Sequence, residues 1–270
     1  MLFTRFAAAD LPRIRLSRAV VKAVQAEFAE GKVKMEGFHC GMPALEKLDH
    51  AFLKGVKSAD HDEKMMMAIT LGHKTLIVFG RIGPTNFAES RLTLVEGVPI
   101  SCSEQVFKLL CVSSHMGISD NCDEVAIKIL CAPKPFGAKA ATTKLAPFDK
   151  GMWDSKSEAA MYASILLICT EFETFARFRM LAALVDEELL VAEANDDGIW
   201  GINMFTKPFF MALLDKLTPE SDLFAEARAL FDGTNKLGEV LTVFLNEIKD
   251  MSFEEFKAAT AEITFVEIED

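Results

Sequence analysis

Apolar residues recur at spacings of three and four along most of the chain, which is the pattern of amphipathic helices. The pattern predicts eight helices, at Leu16 to Ala29, Pro43 to Val56, Glu104 to His115, Asp123 to Leu130, Glu158 to Phe178, Phe209 to Leu217, Leu237 to Lys249 and Phe253 to Thr260. Strand-like runs are shorter and fewer, at Thr75 to Phe79, Leu92 to Glu96, Leu189 to Glu193 and the alternating Ile263 to Ile268. These elements predict an α+β protein, predominantly helical with a small number of short strands.

The segment His61 to Met67 lies between the first predicted helices and the rest of the chain. It indicates three parts: a helical N-terminal extension over residues 1–72, a main domain over residues 73–250 and a C-terminal extension over residues 251–270. The segment begins with consecutive histidine, aspartate and glutamate residues, and adjacent residues do not converge on one metal ion. The five histidines of the chain lie apart, so the sequence predicts no metal site.

Charge and composition narrow the classes of partner. The formal net charge of −11 repels phosphate polyanions, which argues against binding of extended nucleic acid. The apolar runs are far shorter than the roughly 20 residues of a membrane span. Six cysteines without a CxxC pair indicate reduced thiols and a cytoplasmic protein. The Arg-rich N-terminus has the composition of a mitochondrial transit peptide, but Asp10 and Pro12 interrupt it, so mitochondrial targeting is the minor alternative.

Two stretches in the first half of the main domain carry polar residues that a core does not require. In one turn the amide of Asn86 can donate and accept hydrogen bonds while Phe87 anchors the loop, although a tight structural turn explains both residues equally well. The second stretch opens a helix that Ser103 can cap, which places Glu104 in the first turn, where the helix dipole favours a carboxylate. Residues three and four apart share a helix face, and the face of Glu104 also holds Phe107, Lys108 and Cys111.

Two further stretches lie in the second half of the main domain. Trp200 follows the acidic loop that contains Asp197, and an indole there is a natural platform for a nucleobase or a sugar; the alternative is an Asp-Gly turn with a packed tryptophan. The segment Gly233 to Gly238 begins a helix at which backbone N–H groups and Asn235 can receive an anion or a carbonyl. Its glycine spacing does not match that of a phosphate-binding loop.

Taken in this order, the stretches resemble the NADAR (YbiA-like) N-glycosidase family over about 170 residues. The family's motifs correspond here to Thr85-Asn86-Phe87, Leu92 to Gly97, Ser103-Glu104-Gln105-Val106-Phe107, Val191 to Glu193, Asp197-Gly198-Ile199-Trp200-Gly201 and Gly233-Thr234-Asn235-Lys236-Leu237-Gly238. Trp153 also stands where the family often has a tryptophan. Each motif is weak alone, but their order is specific.

The resemblance implies a YbiA-like fold and hydrolysis of an N-glycosidic bond, on early ribosyl intermediates of the riboflavin pathway or on ADP-ribose attached to nucleobases. It implies that Glu104 and Asp197 form a catalytic carboxylate pair and that Trp200 stacks on the base or the sugar. It further implies that Asn86 and Asn235 hold hydroxyls or phosphate oxygens. The other predicted substrate-binding residues are Phe87, Phe107, Trp153, Glu193, Gly201 and Gly238. The expected partner is a small nucleotide or ADP-ribose-like ligand, with no cofactor.

The chain departs from the family at its active-site lysine, which is expected seven positions after the glutamate and is Cys111 here. A thiol lacks the amine needed for a Schiff-base-like intermediate. Lys108, one helical turn earlier, is a candidate substitute, and Cys111 with His115 is a candidate thiol–imidazole pair. Core packing is the ordinary role of a cysteine in a helix.

Two smaller departures accompany the cysteine. Glu193 is one residue nearer to Trp200 than the commonest family spacing, and Leu245 stands where the last family helix usually ends in arginine. Three functions therefore remain open: an N-glycosidase, which we favour, a catalytically inactive module that binds an ADP-ribose-like or nucleotide ligand, and an interaction protein that acts through its terminal extensions. The oligomeric state is not determined by the sequence.

Overall fold

The protein contains both helices and strands and is predominantly helical, which confirms the predicted mixed class. The computed structural model describes residues 2–33, 46–48, 66–80, 89–183 and 187–270. Within these ranges the helices are α1 (Arg18–Ala29), α2 (Ser103–Ser114), α3 (Cys122–Leu130), α4 (Pro135–Thr142), α5 (Lys150–Ile168), α6 (Phe172–Ala182), α7 (Thr206–Leu214), α8 (Leu223–Arg228), α9 (Lys236–Ile248) and α10 (Phe253–Thr260). The strands are β1 (Ile14–Ser17), β2 (Glu46–Leu48), β3 (Met66–Leu71), β4 (Lys74–Phe79), β5 (Glu89–Thr93), β6 (Pro99–Cys102), β7 (Glu188–Glu193) and β8 (Val266–Glu269).

The chain divides into two compact units, and each is assembled from segments that are distant in sequence. Unit 1 comprises Met1–Leu2, Cys40–Thr85 and Arg177–Met251. Unit 2 comprises Phe3–His39, Asn86–Ala176 and Ser252–Asp270.

Unit 1 is built on a four-stranded mixed sheet with the order β2-β3-β4-β7. β3 and β4 form an antiparallel hairpin across a two-residue turn, in which Gly72 adopts a positive φ of 61°. β7 pairs with β4 in parallel register, Leu76 opposite Leu190. Leu76, Leu190 and the rings of Phe209 and Phe210 from α7 belong to one buried cluster. Alternate residues of the two strands, such as Ile77, are also fully buried, as expected for a sheet that is covered on both faces.

Unit 2 is organised around α2, which packs against α3, α4, α5, β1 and β6. Most of this helix is inaccessible to solvent, because ten of its twelve residues are buried. The two ends of the chain meet at one side of the unit, where β1 pairs in parallel with β8, and Ile14 lies opposite Val266. A second small sheet consists of the antiparallel strands β5 and β6.

Most predicted elements are observed close to their predicted limits. The predicted strand Leu92 to Glu96 is wrong over most of its length, because β5 ends at Thr93 and the chain then turns, with positive φ of 46° at Glu96 and 86° at Gly97. The predicted helix Glu158 to Phe178 is wrong as one element, because the chain breaks after Ile168 and α6 starts at Phe172. The predicted helix Pro43 to Val56 lies largely outside the described residues, and its described part forms the strand β2. β1, β3, β6, α4 and α8 were not predicted.

Within the described ranges, no single helix has both the length and the apolar composition of a membrane span. α5 and α6 meet that criterion only as a pair, with a bend of 114° between them.

Candidate functional site

The structure divides the predicted site residues between the two units. Unit 2 contains Glu104, Phe107, Lys108 and Cys111 on α2, together with Trp153 on α5. Unit 1 contains the other six described site residues, which are Glu193, Asp197, Trp200, Gly201, Asn235 and Gly238. Asn86 and Phe87 lie outside the described residues, so their roles remain predictions from the sequence.

The carboxyl of Glu104 is buried in the first turn of α2, with only 2% of its side chain exposed. Burial raises the pKa of this carboxyl, and the positive charges of Lys108 and Lys139 lower it only in part. The Nζ atom of Lys108 lies 3.5 Å from Oε1 of Glu104, as the four-residue spacing predicts. Burial therefore outweighs the ion pair, which leaves a carboxyl that holds its proton to higher pH than an exposed glutamate does.

Aromatic rings border this carboxyl–amine pair. The rings of Phe107 and Trp153 have centroids 5.0 Å apart with an interplanar angle of 51°. The ammonium of Lys108 lies 4.8 Å from the centroid of Phe107, within the range of a cation–π contact. Trp153 is partly exposed, whereas Phe107 is buried. One acidic, one basic and two aromatic side chains thus form a local cluster in unit 2.

Cys111 is buried on the same helix and is poorly suited to act as a nucleophile. Burial raises the pKa of its thiol to about 12, despite the opposing charge of Lys108. The imidazole of His115 is bonded elsewhere: its Nδ1 lies 2.8 Å from the carbonyl of Cys111, and its Nε2 accepts the N–H of Asp149 at 3.1 Å. Both ring nitrogens are therefore engaged with the backbone and not with the Cys111 thiol. Stacking of this ring on Phe148, with centroids 4.6 Å apart, fixes its plane.

The start of α2 differs from the prediction that Ser103 caps it. Ser103 is the first helical residue, and the capping position belongs to Cys102, whose side chain makes no capping bond. Gln105 organises this end instead, since its Oε1 accepts the N–H of Ser101 at 2.8 Å and its Nε2 donates to the carbonyl of Ile129 at 3.0 Å. The fully buried Gln105 thereby ties β6, α2 and α3 together and secures the helix turn that carries Glu104.

In unit 1, the carboxylate of Asp197 closes the turn that leads to Trp200. Its Oδ1 accepts the N–H groups of Ile199 at 2.8 Å and Trp200 at 3.0 Å. The Oδ1 atom of Asn195 in turn accepts the N–H of Asp197 at 2.9 Å. Trp200 is partly exposed on this turn and Ile199 is exposed. The described role of Asp197 is therefore to shape the loop, and its catalytic role remains a prediction.

The start of α9 receives carbonyl groups from the same loop. The carbonyls of residues 198, 199, 200, 201 and 202 accept the N–H groups of residues 234, 236, 237, 235 and 232, respectively. These bonds satisfy N–H groups that a helix start otherwise leaves open. The sequence predicts that this helix start receives an anion or a carbonyl. Carbonyls of the chain itself occupy the positions at which an anion would bind.

Asn235 faces β7 with both ends of its amide. Its Oδ1 accepts the N–H of Glu193 at 3.0 Å, and its Nδ2 donates to the carbonyl of Val191 at 2.9 Å. The residue is fully buried and adopts a left-handed backbone with φ of 52°, a conformation that asparagine tolerates. The structure therefore assigns the amide of Asn235 to the backbone of β7, while its contact with a ligand remains a prediction.

The motif glycines permit this close packing. A Cβ atom at Gly201 would lie closer than 3.0 Å to Asn195, and a Cβ atom at Gly233 would lie closer than 3.0 Å to the carbonyl of Gly201. A Cβ atom at Gly238 would meet both Asn235 and the carbonyl of Val191 at less than 3.0 Å. Close packing thus accounts for the glycines at 201 and 238, while their contact with a ligand remains a prediction.

Three side chains near these groups were not found from the sequence. The positive charge of Lys139 on α4 lowers the pKa of Glu104. Thr242 on α9 accepts the N–H of Val191 at 2.8 Å. Asn195 accepts the N–H of Asp197 in the turn before Trp200. Lys139 and Thr242 stand outside the predicted motifs, and Asn195 lies in the acidic loop without a predicted role, so only the folded chain reveals their contacts. Among the described residues, no group of three or more His, Cys, Asp or Glu side chains is arranged to hold a metal ion.

The chain matches no protein-family model, and comparison with curated proteins found no match.

Proposed function

We propose that this protein is a divergent N-glycosidase of the NADAR (YbiA-like) type, which hydrolyses the bond between a nucleobase-type nitrogen and a ribosyl or ADP-ribosyl group. The observation that carries the proposal is the Glu104 carboxyl, which is buried, has a raised pKa and lies beside Lys108. Such a carboxyl keeps a proton near neutral pH better than an exposed one, which is what a general acid needs. The ordered sequence motifs supply the choice of an N-glycosidic substrate.

The reaction divides into two proton transfers at Glu104. The protonated carboxyl donates its proton to the leaving nitrogen while the bond from the anomeric carbon to nitrogen breaks, and the bonding electron pair passes to the nitrogen. Positive charge then develops on the sugar and is shared with its ring oxygen. Water adds to the anomeric carbon, and its released proton returns to the carboxylate. The products are the free base and the sugar with a new hydroxyl.

Lys108 has a supporting role in this scheme. Its ammonium, 3.5 Å from Glu104, stabilises the carboxylate that remains after the first proton transfer. The buried thiol at Cys111, with its raised pKa, supplies no thiolate at neutral pH. The proposal therefore uses direct attack by water and no covalent intermediate on Cys111.

The aromatic side chains supply recognition in this proposal. Each unit offers one partly exposed indole ring, Trp153 in unit 2 and Trp200 in unit 1, on which a base or a sugar would stack. The ligand is a small nucleotide-like molecule, and we propose a cytoplasmic setting on the cysteine and charge pattern.

The test is hydrolysis of ADP-ribosylated nucleobases and ribosylated pyrimidines, read by mass spectrometry. The matched controls lie on α3, where Glu124 and Lys128 form an exposed ion pair with the same four-residue spacing. We expect Glu104→Gln to slow release by at least about 100-fold, the usual contribution of a general acid, and Glu124→Gln to leave it unchanged. Equal release by the wild type and Glu104→Gln, or no release by either, contradicts the assigned role of Glu104. Lys108→Arg is expected to retain more activity than Lys108→Met, because arginine keeps the positive charge.

A second function, binding of an ADP-ribose-like ligand without turnover, is favoured by the thiol at the position of the family lysine. ADP-ribose would then raise the melting temperature of the protein, although the protein releases no base from the substrates of the hydrolysis test. A ligand at 100 times its dissociation constant stabilises the folded state by about 2.7 kcal/mol. Thermal stabilisation without hydrolysis by the wild type would establish this second function and exclude the first.

A further inference from the structure

The outer edge of β7 is closed by the side chain of Thr242 on α9 and by that of Asn235, the residue that precedes this helix. In the part of the sheet that the structure describes, β7 pairs with β4 on one side and occupies the end of the strand order. On its other side, Val191 donates its N–H to Thr242, and its carbonyl accepts from Asn235. The next outward N–H, that of Glu193, donates to Asn235. A single asparagine thus replaces the bonds that a neighbouring strand would make to the end of β7.

The same asparagine stands where β7 passes into the loop 193–202. The carbonyl of Glu193 accepts the N–H of Ile202 at 2.9 Å, which closes this loop on the strand end. The N–H of Asn235 itself donates to the carbonyl of Gly201 at 3.0 Å. Asn235 therefore holds both the beginning and the end of the loop that carries Asp197 and Trp200.

We infer that Asn235 is a positioning residue, which orients Glu193 and the Trp200 loop for ligand recognition through the backbone and does not itself touch the ligand. Successive side chains of a strand point to opposite faces, so fixing the N–H of Glu193 also fixes the direction of its buried side chain. The inference rests on the proposed function for the identity of the ligand. Its structural part, the ordering of the loop, is independent of catalysis.

The decisive variant is Asn235→Gly, because glycine accepts the left-handed backbone without strain and removes only the amide. The matched control is Asn203→Gly: Asn203 has the same φ of 52° in the same unit, and its amide donates to Asp232 at the surface. Trp200 fluorescence reports the loop directly when measured in a Trp153→Phe background, since the chain has 2 tryptophans.

We expect Asn235→Gly to shift the emission of Trp200 to longer wavelength and to raise the dissociation constant for ADP-ribose about tenfold, in keeping with the loss of two hydrogen bonds. Asn203→Gly should change neither quantity. If Asn235→Gly does not fold, Thr242→Val removes one hydrogen bond at the same strand edge and should give a smaller shift in emission in the same direction.

Two results would overturn the inference. Unchanged Trp200 emission in Asn235→Gly shows that the asparagine does not order the loop. Weaker binding of ADP-ribose with unchanged emission shows that the amide contacts the ligand directly. Failure of the wild type to bind ADP-ribose contradicts the ADP-ribosyl form of the proposed function instead, and the emission comparison then decides the positioning role alone.

Discussion

At the scale of single residues, one glutamate–lysine pair on α2 and one on α3 show that burial decides the direction of the pKa shift when the residue spacing is the same. Glu104–Lys108 and Glu124–Lys128 are both separated by four residues on a helix. Burial raises the pKa of Glu104, whereas the hydrogen bond from Lys128 lowers the pKa of the exposed Glu124. The residue spacing is the same in both pairs, so spacing alone does not predict the difference in their burial.

This contrast gives a test of opposite pH dependence. The pKa of Glu104 is raised above its ordinary value of 4.5, so folding takes up a proton above that pH, and the free energy of unfolding falls as the pH rises. Glu104→Gln removes this loss, and we expect its stability relative to the wild type to increase from pH 4 to pH 8. The measurement is urea unfolding at several pH values.

Glu124→Gln is the control of opposite sign. The pKa of Glu124 is lowered, so its ion pair contributes stability above the ordinary carboxyl pKa and loses it as the pH falls. Its glutamine variant should be slightly less stable than the wild type at pH 8 and equal to it at low pH. Parallel pH profiles for the two variants would show that Glu104 is not held protonated by burial.

The chemistry around Glu104 was predictable only along its own helix. The period of α2 placed Glu104, Lys108 and Cys111 on one face, and the 3.5 Å ion pair agrees with that prediction. Lys139 comes from a helix that the apolar pattern did not predict, and it reaches Glu104 only through tertiary packing. Residue spacing therefore identifies the members of one helix face but not the neighbours supplied by other helices.

At the scale of elements, the loop 193–202 and the segment 232–237 form one interlocked unit of backbone. Five consecutive carbonyls of the loop accept N–H groups of the segment, and the motif glycines allow the two backbones to approach. The tryptophan motif and the asparagine motif are more than 30 residues apart, and each contains a glycine. This arrangement explains both glycines, since Gly201 and Gly233 are in contact. The sequence indicated two separate ligand-binding loops, because nothing local shows that one loop binds the other.

Alanine substitution tests this interlock. Gly201→Ala and Gly233→Ala place a methyl group closer than 3.0 Å to neighbouring atoms, and we expect each to cost about 1–3 kcal/mol of unfolding free energy. Gly198→Ala is the control in the same loop, because the nearest neighbour of a Cβ atom at this position, the Cβ of Asn203, lies 4.0 Å away. It should leave stability unchanged or raise it slightly, since alanine restricts the unfolded chain. Equal effects of all three variants in thermal unfolding would mean that the loops are not packed as described.

The break between α5 and α6 shows a further limit of sequence patterns. Neither glycine nor proline interrupts Cys169-Thr170-Glu171, so the apolar period predicts one continuous helix. The side chain of Glu171 accepts the N–H groups of Glu173 at 2.9 Å and Thr174 at 2.8 Å, which starts a new helix. Glutamate is outside the residue types that usually cap helices, so the start signal is not visible in the sequence.

At the scale of the whole molecule, segments from distant parts of the chain build each unit. The β4–β7 pair of unit 1 joins residues more than 100 positions apart, and the β1–β8 pair of unit 2 joins the two ends of the described chain. Three arginines of the N-terminal segment face acidic residues of the C-terminal segment, in the pairs Arg13–Glu267, Arg15–Glu269 and Arg18–Asp270. Such long-range pairing has no local signature, and the parallel register of β1 was accordingly not predicted.

Removal of β8 tests whether the stability of unit 1 depends on the strand pair β1–β8 of unit 2. Deleting residues 265–270 takes away the strand that covers Ile14 and Leu16, so we expect faster hydrogen exchange in β1 and the first turns of α1. β4 and β7 draw their ladder bonds from within unit 1 and should keep their protection. The control is Glu267→Gln with Glu269→Gln, which keeps the strand and removes only exposed ion pairs, worth at most about 1 kcal/mol each. If β4 and β7 lose protection together with β1, the two units unfold as one cooperative body, and the terminal strand pair stabilises the entire protein.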